Sequence, residues 1–206
     1  MYYLGDEYFS EFLEMLEFPR ALPEIKAIVM RNLWRVGFQP MADVLKELYL
    51  KNEFSFPSAR TAEIFFDNFS VLWNLLGAHQ EQGNYFRFFR FPKALNKKGV
   101  LARIDARNLE VQALFPLVTE GAKAIPAEHL KKFHNIAAPI RPAIEQMKII
   151  PDSTMVSFDD GQIAEWEQEL NWMDIVLEEA FNHLGWLLIK VWQEKQEPDF
   201  DFVNNP

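Results

Sequence analysis

Along most of this chain the apolar positions recur three and four residues apart, as expected of helices that turn one face to a core. Phe9, Phe12, Leu13 and Leu16 keep that spacing after Asp6, and the run stops before Pro19. Pro23 stands where a first-turn proline belongs, ahead of Ile25, Ile28, Val29 and Leu33, with Gly37 as the stop. Pro40 opens a third segment carrying Met41, Val44, Leu45 and Leu48. Ser58 suits the N-cap of a fourth, over residues 59–76, which is apolar nearly all round and is therefore expected at the centre of the core.

The middle of the chain is less regular. Residues 96–99 form a turn signal, and residues 100–104 or 154–158 have the composition of short strands, at most a minor hairpin. Helices are expected near 108–117, 127–136 and 142–149, with Pro116, Pro126, Pro139, Pro142 and Pro151 marking their limits. The strongest periodicity is C-terminal. Ile163, Trp166, Leu170, Met173, Leu177, Ala180, Leu184, Leu187 and Val191 alternate three and four apart without a break. This heptad seam predicts one helix from about Asp160 to Gln196, capped by Asp159 or Asp160 and stopped by Pro198. Packed inward the seam belongs to an intramolecular bundle; packed outward it would join two copies. Gly185 is the weak point, costing about 1 kcal/mol relative to Ala. The fold expected is all-α: a mostly helical bundle of six to nine helices with a long C-terminal helix. A single helical domain over 1–206 is expected, with a disordered acidic tail at 197–206.

Composition narrows the function classes. The chain has 206 residues, no Cys, 19 Phe and 6 Trp, with 49% hydrophobic residues, enough for a bulky core without staples. Absence of Cys removes disulfides, thiolate metal sites and cysteine catalysis. The first 18 residues lack a basic segment, and no apolar run approaches the roughly 20 residues of a membrane span. A soluble, cytoplasmic protein that does not engage membranes is the expectation, as monomer or homodimer. With 8 Gly there is no glycine-rich phosphate loop, and no dinucleotide or nucleophile motif occurs. Glu179 and His183 lie one helical turn apart but lack the Glu-x-x-His partners of a bundle metal site. No catalytic residue, metal or cofactor is assigned.

Charge is segregated within a net of −9. Between Gly83 and Arg107 seven Lys or Arg face one acid, Asp105; from Asp159 onward twelve acids face Lys190 and Lys195. The basic stretch opens with Tyr-Phe-Arg-Phe-Phe-Arg-Phe at 85–91. Aromatics interleaved with cations can stack on bases while the cations reach phosphates, so Arg87, Arg90, Lys93, Lys97, Lys98 and Arg103 form a candidate nucleic-acid surface within 85–107. A local repeat argues for a different role. Phe18-Pro19-Arg20-Ala21-Leu22 recurs as Phe91-Pro92-Lys93-Ala94-Leu95, and the copies exchange Glu14 and Glu17 for Arg87 and Arg90. By that analogy residues 85–91 end an amphipathic helix, with Arg87 and Arg90 facing Glu14 and Glu17.

The leading functional expectation is a non-enzymatic interaction or regulatory protein, of adaptor, inhibitor or immunity type. It would dock a basic protein partner through the acidic, Trp-bearing C-terminal helix. Trp166 and Trp172 would serve as anchors, and Glu165, Glu167, Glu169 and Asp174 as steering charges. Nucleic-acid binding is the alternative.

Overall fold

The helix most enclosed by the rest of the chain is α2, Leu22–Trp34, which buries Leu22, Ile25, Ala27, Ile28, Val29, Met30 and Trp34 on all sides. A computed structural model describes residues 5–35, 40–49, 54–91, 93–94, 96–153 and 160–196. Around α2 lie α1 (Asp6–Met15), α3 (Met41–Tyr49), α4 (Ala59–Glu81), α5 (Lys97–Leu114), α6 (Pro116–Ala124), α7 (Ala127–Ala137), α8 (Ile140–Ser153) and α9 (Asp160–Gln196). The described residues contain no strand, and the chain is an all-α bundle. None of its described helices is long and apolar enough to cross a membrane.

Local chemistry explains most of the boundaries. Ser58 caps α4 in a reciprocal box with Thr61. Asn96 caps α5 by accepting the Gly99 N–H at 3.0 Å. Helices α1 and α4 end in the same way. Phe18 N–H reaches Leu13 C=O and Glu17 N–H reaches Glu14 C=O, both at 2.9 Å; Asn84 N–H reaches His79 C=O at 3.1 Å and Gly83 N–H reaches Gln80 C=O at 2.9 Å. The left-handed position is Gly83 in α4, φ 71°, but Glu17 in α1, φ 49°.

Several expectations are corrected. Helix α4 buries one face only, through Phe65, Phe69, Leu72 and Trp73, and leaves Leu75 exposed, so α2 takes the central place. Residues 100–104 are not a strand; they lie inside α5. Pro116 begins α6 rather than closing the helix before it. The expected stop at Gly37, the strand at 154–158 and the tail at 197–206 lie outside the described residues.

Much of the phenylalanine goes into one cluster. Phe18 packs on Phe54 and Phe65, each at 4.9 Å between centroids, and Phe56 lies 5.2 Å from Phe65. These rings join α1, α4 and the loop before α4 in edge-on and tilted contacts. The heptad seam of α9 is buried within the chain from Leu170 to Val191, which leaves it unavailable as a coiled-coil surface.

Candidate functional site

Helix α9 carries three different faces. The apolar seam points at the core. A second row, Glu167, Asp174, Glu178 and Asn182, is also buried, although every member is polar. The third face is open to solvent and holds Glu165, Gln168, Glu169, Trp172, Ile175 and Glu179. The acidic sequence-selected residues lie on this helix, and Arg87, Arg90 and Arg103 of the basic set reach it.

The polar row grips residues 85–91. This segment is extended, not the end of a helix. Gly83 ends α4, and after it Phe86 and Phe88 turn inward while Arg87 points out, a two-residue period that no helix accommodates. Among the described residues this strap has no backbone partner from Tyr85 onward; side chains take the place of a neighbouring strand. Asn182 accepts the Phe86 N–H at 2.7 Å and donates to the Phe86 carbonyl at 2.9 Å. Glu178 accepts the Phe88 N–H at 2.8 Å, Glu110 accepts the Phe89 N–H at 2.9 Å, and Arg107 donates to the Phe89 carbonyl at 3.0 Å. Glu167 accepts the N–H of Ala94.

Between α5, α9 and the strap lies a buried ionic network. Arg107, 1% exposed, makes a two-pronged contact with Asp174 at 2.6 and 2.9 Å, pairs with Glu110, and stacks 4.2 Å over the Phe88 ring. Arg103 donates to Asn171 at 2.6 Å and to Asp174 at 2.8 Å. Arg87 and Arg90 each donate to Glu178 at 2.9 Å from the solvent side. The partners of Arg87 and Arg90 therefore come from α9 and not, as the repeat suggested, from Glu14 and Glu17. Four guanidiniums meet three carboxylates there, so each buried charge has an opposite neighbour. Burial still dominates at Glu110, whose pKa rises to about 7; Arg107 and the Phe89 N–H pull it back only in part.

This arrangement redistributes the sequence-selected residues. Of the acidic set, Glu167 and Asp174 are buried in the grip on the strap and in the network, while Glu165, Glu169 and Trp172 are exposed and Trp166 is half-buried. Of the basic set, Arg103 is buried, and Arg87 and Arg90 are spent on Glu178; Lys93 and Lys98 are exposed and Lys97 half-buried. An acidic helix does bind a basic aromatic segment in this protein, but the segment is its own.

Sequence reasoning missed Ile175, Arg107, Glu110, Glu178 and Asn182. The 7-4-4 spacing of Glu167, Asp174, Glu178 and Asn182 beside the seam was the available signal. Among the described residues no group of three or more His, Asp and Glu is placed to hold a metal ion.

The outer face continues along α9 into a groove against α7. One depression of about 330 Å³ has Ile136, Pro139, Val176 and Glu179 around it; the next, about 410 Å³, has Lys132, Ile136, Trp186, Leu187 and Lys190. His183 borders both, and Tyr85 of the strap packs against this wall of α9, its ring 4.8 Å from that of Trp186 and its hydroxyl 3.3 Å from His183 Nε2. The chain matches no protein-family model, no curated protein and no solved structure.

Proposed function

We propose that this protein is a non-enzymatic interaction protein that docks a basic protein partner on the outer face of α9. One observation carries the reading: Trp172 is 60% and Ile175 57% exposed, side by side on a helix whose other faces are filled. Glu165, Glu169 and Glu179 surround them on the same face. Covering the two side chains would contribute on the order of 4 kcal/mol from apolar area alone. The carboxylates around them would set the sign of the partner and speed its approach. Of the acidic positions, these exposed ones are available to a partner; Glu167 and Asp174 are not.

The nucleic-acid alternative has less to stand on. Two of its arginines neutralise Glu178, a third is buried, and the exposed cations Lys93 and Lys98 make too small a footprint for phosphate-driven affinity.

The test is capture followed by reconstitution with the purified partner. Binding should weaken with salt and fall at least tenfold on Trp172→Ala or Glu169→Lys, both at exposed positions that leave the fold intact. A partner with an acidic contact surface, or one indifferent to both substitutions, would reject the reading.

A further inference from the structure

The groove between α7 and α9 has a direction written in its charges. Both walls are helices, and they run antiparallel: Lys132 of α7 lies beside Lys190 of α9, and Pro139 lies beside Val176 and Glu179. Its floor is apolar, made by Val176, Ile136 and Leu187, and one turn before Val176 the exposed Trp172 lies on the same face of α9. From Val176 to Lys190 the groove follows about four turns of α9, roughly 21 Å, and Trp172 stands one turn beyond it on the same face. A trough between two helices, with an apolar floor that an exposed Trp extends along one wall, fits another helix laid along it.

The two ends differ in charge. Glu179 lines the end nearer the start of α9, and Glu169 and Glu165 continue the same face beyond Trp172. Lys132 and Lys190 occupy the other; Lys190 sits 3.7 Å from Glu194, a pair too exposed to hold the lysine there. A helix laid in the groove therefore needs acidic side chains at the lysine end and basic ones at the glutamate end. Isolated helices prefer acids in their first turns and bases in their last, because these complement the macrodipole. The two preferences agree in one orientation only.

We infer that the groove receives a single amphipathic helix of the partner, about 18 residues long, running antiparallel to α9. Its N-terminal third is acidic and meets Lys132 and Lys190; its C-terminal third is basic and meets Glu179 and Glu169. Its apolar stripe faces Trp172, Val176 and Ile136. This rests on the docking reading above and adds the partner's secondary structure, polarity and charge order.

A displayed library of 18-residue helical peptides, with a randomised apolar stripe and charges randomised at both ends, tests it directly. Selection on the intact protein should enrich peptides with Glu or Asp in the N-terminal third and Lys or Arg in the C-terminal third. A synthetic winner should lose at least tenfold in affinity on Lys190→Glu or Ile136→Asp. The same peptide with its end charges exchanged should bind weakly to wild type and recover on the doubly reversed Glu169→Lys, Lys190→Glu variant. No enrichment, enrichment with the opposite or no charge order, or winners indifferent to Lys190→Glu would each overturn the inference. If the captured partner still depended on Trp172 in that event, the docking reading would stand and the helix-in-groove inference alone would fall.

Discussion

The side-chain amide of Asn182 pairs with the backbone of Phe86 in both directions, accepting its N–H at 2.7 Å and donating to its carbonyl at 2.9 Å. A single side chain thus does what a neighbouring strand does in a sheet. Asn182→Ala leaves a buried donor and a buried acceptor without partners, so it should destabilise the protein by about 2–4 kcal/mol. Asn182→Leu should be no better, because shape is not what is lost. Urea unfolding of the two variants checks this; a loss below about 1 kcal/mol would mean that water takes over the role.

Asp174 was a candidate steering charge, yet it anchors Arg103 and Arg107 in the interior. Asp174→Ala should cost about 3–5 kcal/mol, since two guanidiniums are left in a dry site. Arg107→Met combined with Asp174→Leu should cost clearly less than Asp174→Ala alone. If the double variant is the worse of the two, the network contributes net stability beyond mutual neutralisation.

Gly185 lies against Trp34. A Cβ built on it would stand 2.3 Å from the indole ring, closer than any real contact. The ring is 1% exposed and Phe86 packs on it edge-on at 5.9 Å, so it has little room to retreat. Gly185→Ala should therefore destabilise by at least about 2 kcal/mol, against the roughly 1 kcal/mol that Ala gains in an exposed helix. Trp34→Leu in the Gly185→Ala background should restore part of the loss, measured by thermal melts of the four variants in the cycle.

Glu110 makes stability depend on pH in a defined sense. Its pKa, raised by burial to about 7, lies above the ordinary carboxyl value of 4.5. Between those values the folded state holds a proton that the unfolded chain has released. Its contribution is therefore fully present below about pH 4.5, falls as pH rises towards 7, and is constant above that. Glu110→Gln removes the dependence. The stability of this variant relative to wild type should rise by on the order of 3 kcal/mol between pH 4.5 and 7.5. A difference that stays flat over the window would show that Glu110 remains ionised inside the protein.

Glu17 occupies the left-handed position that Gly83 fills in the matching helix end. Glu17→Gly should stabilise the protein by about 0.5–1 kcal/mol, by relieving the Cβ strain of that conformation. Gly83→Ala should do the reverse by a similar amount. Chemical denaturation resolves both.

The long helix and the early bundle were legible because their buried faces are apolar, so periodicity reported burial directly. The first half of helix α5, read as a turn and a short strand, escaped for the opposite reason, while its second half overlaps the helix expected near 108–117. Its buried positions keep helical spacing, but Arg103, Arg107 and Glu110 stand among Val100, Ile104, Val111 and Leu114, and a hydrophobic pattern cannot register charged residues as core. The strap escaped because Phe91 to Leu95 resembles Phe18 to Leu22, and the resemblance pulled the reading towards a helix end. What separates the two copies is the residues before them: one follows an unbroken helix, the other a glycine stop. The acidic half of the candidate site was found as a set but not as faces. Glu165 and Glu167 are two residues apart and so point differently; the partner each would meet depends on where α5 and the strap lie, which local spacing does not encode.

The grip on the strap also separates two properties that usually travel together. The Phe86, Phe88 and Phe89 amides belong to no helix or strand, so circular dichroism would count them as irregular. Each is nevertheless closed off by a carboxylate or amide fixed in the interior, and two of the three rings are buried. Their hydrogens should exchange with solvent as slowly as those of the central helices, and proteases should cut elsewhere first. By its secondary structure the segment is a linker; in its kinetics it belongs to the last part of the protein to open.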